Sequence, residues 1–319
     1  MVIFVHDRIR LLLIRSLILA LALSLCSNMT AFADCKPFII DLYMGEPVPR
    51  HAMFDDLSTV RIVYLGEIHT IARHHELEEE VLRGLLDREV KLAIGMEMFA
   101  RKQQPILDRW QRGTTNVSDL IKELGQDHWT NLQDYSNVLT LARKRHVPII
   151  ALNANDLLVH KVAHEGLGRL TKSEKLEIPK GVEKINPLLD RLLRLRLRVH
   201  KAFEKESLDR IVLAQALRDA TMAQTVSRFL DSPAGKDRLM LVIAGSGHVN
   251  YGFGIPERVH AHNRLSYRII VATESGELVL SNEEKRESVP IEITHEDLRF
   301  IQTPIADYLQ TLPLKEKPK

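Results

Sequence analysis

The side chains best suited to chemistry in this 319-residue chain are two histidines and two glutamates in separate segments. Glu67 and His69 stand in "YLGEIH", Glu97 in "IGMEMF" and His248 in "AGSGHVN". Such a set suits two chemistries. Glu67, His69 and His248 could ligate one divalent ion (Mn, Co or Zn), which lowers the pKa of bound water and makes a hydrolytic nucleophile. His69, Glu97 and His248 could instead work without metal, one imidazole acting as general base and a glutamate orienting it. A carboxylate inside "IGMEMF" is costly to bury unpaired, which marks Glu97 for a partner. Gly245 and Gly247 in "GSGHVNYGFGIP" let the backbone approach a ligand closely, and Tyr251 lies in the same loop.

What would position these groups is a sheet. "VRIVYLG", "VKLAIGMEMF", "VPIIALN", "DRLMLVIAG" and "LSYRIIVAT" are β-branched, apolar runs that predict strands. Helical spacing of apolar residues fills the intervals, as at Leu77, Val81 and Leu85. The alternation predicts an α/β fold: a mostly parallel central sheet flanked by helices. From about 155 to 232 strand patterning gives way to Leu/Arg-rich and amphipathic helices, so an all-helical lobe is inserted. Within it, Lys172 to Asn186 is the expected linker. Residues 34–58 read as an irregular lead-in, and the stretch after Gly276 as a charged, proline-containing tail. Glu67, His69, Glu97 and His248 all fall near the carboxyl ends of predicted strands, where open α/β sheets bind ligands. Asp219, one turn before Met222 on the longest predicted helix, could face this site or solvent. "HHELEEE" reads as the start of an amphipathic helix, with His74 and His75 as structural residues.

Several familiar motifs fail. "HELEE" lacks the second histidine of H-E-x-x-H, because position 79 is Glu. "AGSGH" lacks the outer glycines of a nucleophile elbow. "GSGHVN" has Asn250 where a dinucleotide fingerprint needs its third glycine, and no P-loop is present.

A basic start, an apolar stretch from Leu11 to Leu25 and "AFA" at 31–33 predict a signal peptide over residues 1–33. The remainder, 34–319, is expected to form a single domain in the periplasm or at the outer membrane. Removing Arg8, Arg10, Arg15 and Asp7 leaves equal numbers of basic and acidic side chains, which argues against a nucleic-acid partner. Only Cys35 of the two cysteines then remains, so neither an internal disulfide nor a thiolate metal site is expected. Leu25 before Cys26 and Asp34 before Cys35 do not make a lipobox.

"YLGEIH", "GMEMF", "VPIIALN", "LRDATMA" and "AGSGHVNYGFGIP", in this order over residues 55–260, resemble the ChaN-like haem-binding proteins of the Tiki superfamily. "GEIH" and "GSGH" match that superfamily's paired G-x-x-H motifs. The resemblance implies haem as cofactor, a role in iron uptake, an outer-membrane haem receptor as partner and a homodimer as assembly. The wider superfamily also contains metal-dependent peptidases and erythromycin esterase-like hydrolases, which keeps a metal-dependent hydrolase as the alternative. Carried over, the motif histidines are His69 and His248 and the acidic position is Glu97. Tyrosine is a known axial ligand of haem iron. Tyr251 is its first positional candidate here and Tyr135 its second.

Overall fold

The computed structural model describes residues 38–127, 129–198, 205–272 and 293–311. The expected signal peptide lies outside them. The sheet is built around β3 (Ile62–Glu67), β4 (Leu92–Ala100), β5 (Ile149–Asn153), β6 (Leu239–Gly245) and β7 (Tyr267–Ala272). These are the five strands expected from sequence, and they pair in parallel in the order β7-β3-β6-β4-β5. Three short strands extend it beyond β7. β8 (Tyr308–Gln310) lies parallel to β7, and β1 (Ile39–Asp41) and β2 (Glu46–Val48) complete the edge antiparallel.

Alternation along the strands separates two cores. In β3, Val63 and Leu65 enter one core, which they share with α1 (Arg50–Leu57), α2 (Ala72–Leu86), α3 (Gln104–Arg112), α4 (Val117–Leu124) and α5 (Ser136–Lys144). Ile62 and Tyr64 enter the other, against α9 (Lys205–Asp231) and α10 (Ile255–Asn263). The result is three layers, helix–sheet–helix. Residues 156–231 carry α6 (Asp156–Glu165), α7 (Lys172–Glu177), α8 (Pro187–Leu197) and α9, with no strand among the described residues. Leu158, Val159 and Val162 of α6 pack on Ala214, Leu217 and Ala220 of α9, so α9 belongs to both the helical lobe and the sheet's cover. Among the described residues no helix is long and apolar enough to cross a membrane.

Two local expectations are corrected, and the tail gains structure. The lead-in is not irregular: Asp41 Oδ1 accepts from the Tyr43 and Met44 amides, closing the β1–β2 turn, and α1 follows Pro49. The expected linker begins with α7, started by a capping box in which Thr171 and Glu174 accept each other's amide. The tail carries α11 (His295–Leu298) and then β8. β8 is pinned by Asp56, which accepts from Tyr308 Oη at 2.7 Å and from two nitrogens of Arg268 at 2.7 and 2.9 Å.

Candidate functional site

β6 lies between β3 and β4, and its pairing sets the site. Glu67 is opposite Gly245 at the carboxyl ends of β3 and β6. β4 follows β6 in register as far as Met96, and its pairing with β5 is irregular between Met96 and Ala100. Glu97 falls in that irregular stretch, a common device for re-aiming a side chain. Its Oε2 accepts the Gly245 amide at 2.7 Å, and its Oε1 lies 3.1 Å from His248 Nε2. The other ring nitrogen of His248 bonds to Asp219 Oδ1, and Gln215, one turn earlier on α9, brings its amide within 2.9 Å of the same nitrogen.

His248 is thus held between two buried carboxylates. Burial opposes its charge, but Glu97 and Asp219 push its pKa up to about 10. Burial would raise Glu97, yet the His248 imidazolium, His69 and the Gly245 amide hold it down to about 2. Asp219 is raised by burial, against the pull of His248. At neutral pH, Glu97 and His248 therefore form a fixed ion pair inside the protein.

His69 stands at the mouth. Its side chain is 28% exposed, against 8% or less for Glu67, Glu97, His248 and Asp219. Nδ1 lies 2.9 Å from Glu67 Oε1 and Nε2 3.9 Å from Glu97 Oε2, and the ring meets Trp129 edge-on at 4.9 Å. Burial would lower its pKa, but the bond to Glu67 and the charge of Glu97 raise it. Gly245 makes this approach possible, since a Cβ there would come within 2.8 Å of His69 Nε2.

Behind His69 lies a second layer. Tyr135 Oη donates to Glu67 Oε1 at 2.6 Å and is fully buried. His75 and Glu78, one turn apart on α2, are buried beside Glu67. Burial would raise Glu67, but the bond to His69 and the neighbouring Glu78 hold it low, while burial and Glu67 push Glu78 well above the carboxylate range.

The structure therefore brings Glu67, His69, Glu97, His248 and Gly245 together. Glu67, His69 and His248 do not meet as one compact ligand group. Among the described residues the set that does is Glu67, His75 and Glu78. The sequence leaves Asp219 undecided between site and solvent and reads His75 as structural; Gln215 and Glu78 are the residues it misses. The i,i+3 spacing of His75 and Glu78 was the available signal. Tyr135 belongs to the Glu67 cluster, not to an accessible surface. Tyr251 is half-buried on the loop after His248, at φ 62°, against Leu189, Leu192 and Phe253. Gly247 lies near Arg196, whose guanidinium reaches within 3.9 Å of where a Cβ would stand.

A family model described as "Haem-binding uptake, Tiki superfamily, ChaN" matches residues 53–259. Among solved structures, ChaN of Campylobacter jejuni, reported with cofacial heme binding, aligns at TM-score 0.62 and 17% identity. The alignment covers 87% of this chain and 97% of that one. A mutant of the erythromycin esterase EreC in its open conformation aligns at TM-score 0.45 and 15% identity, over 84% and 94%. At these identities the likeness is one of fold. No curated protein matches the chain.

Proposed function

The chain belongs to the haem-binding uptake family of the Tiki superfamily, ChaN, and on that premise we propose that it is an exported haem-binding protein serving iron acquisition. The family match over residues 53–259 carries this reading. The N-terminal sequence supports export to the periplasm or the outer membrane, where a haem receptor would be the partner.

The residues around Tyr251 fit a haem. The phenol is a suitable oxygen ligand for ferric iron, the buried Leu189, Leu192 and Phe253 brace its ring from beneath, and Arg196 lies near enough to Tyr251 to meet a propionate. Bound haem would supply an iron centre that accepts an oxygen donor. Tyr251 would hold the iron, and the left-handed backbone there fixes where its side chain leaves the loop. The Glu97–His248 pair is too buried to meet a macrocycle directly. It props the loop from below.

Adding hemin to the purified chain is expected to give a Soret band that saturates. Tyr251→Phe should shift that band and weaken binding on the order of tenfold or more, about 1.4 kcal/mol. A titration with no Soret change at excess hemin would sink the reading. An unchanged band in Tyr251→Phe would move the ligand elsewhere.

A second reading, hydrolysis at His69, is favoured by one observation. Glu67 fixes His69 Nδ1 at 2.9 Å, which leaves Nε2, on the side of Glu97 and Gly245, as the proton acceptor, the arrangement of an oriented general base. This reading predicts ester or peptide cleavage that falls on the order of 10²-fold or more in His69→Ala. A protein inert on a broad ester and peptide panel, with and without Mn, Co or Zn, would exclude it.

A further inference from the structure

The layer behind His69 has a feature that neither reading uses. His75 Nε2 lies 3.1 Å from the His69 carbonyl oxygen, which only accepts, so Nε2 carries the ring hydrogen. Nδ1 is then the nitrogen turned to the cluster. It faces Glu78 Oε2 at 3.4 Å and Glu67 Oε2 at 3.5 Å. Three atoms of metal-ligand type converge, and all lie within 4.8 Å of one another.

Two buried oxygens point the same way. Glu67 Oε2 and Glu78 Oε1, on residues that are 1% and 0% exposed, find no donor among the other side chains and amides, so the two carboxyls share a proton or a cation between them. Buried polar oxygens of this kind need an explanation, and a bound cation is one. The spacing suits a cation: ligands about 2.1 Å from a tetrahedral metal stand about 3.4 Å apart.

The surroundings are those of a metal-bound histidine. A ligating imidazole commonly donates its other N–H to a backbone carbonyl, as His75 Nε2 does to His69. The Tyr135 ring sets the plane of His75 edge-on at 4.4 Å, and Tyr135 Oη bonds to Glu67 Oε1, leaving Oε2 turned to the cluster. Asn131 donates to the His69 carbonyl from the other side.

We propose that Glu67, His75 and Glu78 form a buried site for one divalent first-row transition metal, separate from the Tyr251 surface and from the Glu97–His248 pair. One imidazole and two carboxylates suit Zn²⁺, Co²⁺ or Mn²⁺ better than Mg²⁺, which keeps its waters and favours oxygen. Through Glu67, the metal would tie the α2 helix to the residue that orients His69. Because the site is closed, it fills as the chain folds.

Cobalt is the probe. The full chain, produced without a histidine tag and refolded with Co²⁺, is expected to bind about one ion per chain. It should show visible d–d bands and a melting temperature that rises with free Co²⁺. Glu78→Gln, nearly isosteric, should lose the bands and weaken binding by more than about 100-fold, beyond what loss of an outer partner costs. Its hemin-induced Soret band should persist, so the metal and haem readings fail separately. If Glu78→Gln does not fold, the unaltered chain still decides: a cooperative melt indifferent to Co²⁺, with no d–d bands, overturns the site. Bands kept in Glu78→Gln but lost in His248→Asn would overturn it too, by moving the metal to the other histidine.

Discussion

Exchanging Glu97 for glutamine is expected to destabilise the chain by about 3 kcal/mol at mildly acidic pH, read from urea midpoints. The substitution keeps the shape and removes the charge. What it leaves is the cost: His248, fully enclosed, would face only Asp219, whose own carboxyl is pushed up by burial. Breaking one side of a buried pair is costly because the other charge stays behind. The pH dependence gives a second signature. The pKa of His248 rises from 6.5 to about 10 on folding, so its contribution is complete below 6.5 and fades as pH climbs toward 10. Glu97 falls from 4.5 to about 2, so its contribution is complete above 4.5 and fades as pH drops toward 2. The unaltered chain should therefore be most stable between 4.5 and 6.5, losing stability on both sides. Glu97→Gln should lose the acid limb that Glu97 supplies. Its alkaline decline should finish at a lower pH, since His248 would then be charged less firmly. A variant whose pH profile matches the unaltered chain would mean that Glu97 and His248 are not an ion pair.

This charge arrangement separates the two histidines by role. His248 is locked as an imidazolium from both ring nitrogens and has no lone pair to offer at neutral pH. His69 is exposed on one edge and bonded through one nitrogen to Glu67, so it is the titratable group at the mouth. Any proton chemistry falls to His69. His248 holds the loop that leads to Tyr251, only three residues on.

The sequence disclosed the five parallel strands because each is a run of β-branched or apolar residues closed by a turn. It also placed Glu67, His69, Glu97 and His248 near strand ends, where a parallel sheet gathers them. β8 was invisible because "YLQ" is three residues long and finds its place through distant partners, β7, β1 and Asp56, the last more than two hundred positions away. Asp219 was undecided because its helix is covered on two sides, by the lobe and by the sheet. A single apolar stripe does not say which side receives a polar residue. Glu78 was hidden among Glu76, Glu79 and Glu80, which look alike in one dimension. Only the packing of α2 on the sheet buries Glu78 and leaves its neighbours outside or at the rim. Tyr135 was weighed for haem because of its residue type. Its environment, a hydrogen bond to Glu67 in a closed core, could not be read from spacing.

Gly254→Ala is expected to cost about 3 kcal/mol, from two causes that a control separates. Gly254 starts α10 at φ 69°, a backbone conformation that a side chain resists by roughly 1–2 kcal/mol. A Cβ there would also stand 2.5 Å from the His248 carbonyl oxygen and 3.1 Å from Asp219 Oδ2. The first neighbour is backbone and cannot swing aside, so the loop carrying His248 must move or the helix must retreat. Overpacking of this kind adds about 1–3 kcal/mol. Gly45 also has a positive φ, 72°, with nothing within 4 Å of where a methyl would stand, so Gly45→Ala carries a backbone cost with no contact added. The difference between the two urea midpoints measures the contact. The displaced loop should also lengthen the His248–Asp219 bond and shift the downfield imidazole N–H resonance of His248. Equal midpoints for the two variants, with that resonance unmoved, would show that the turn yields freely and that Gly254 does not hold His248 in place.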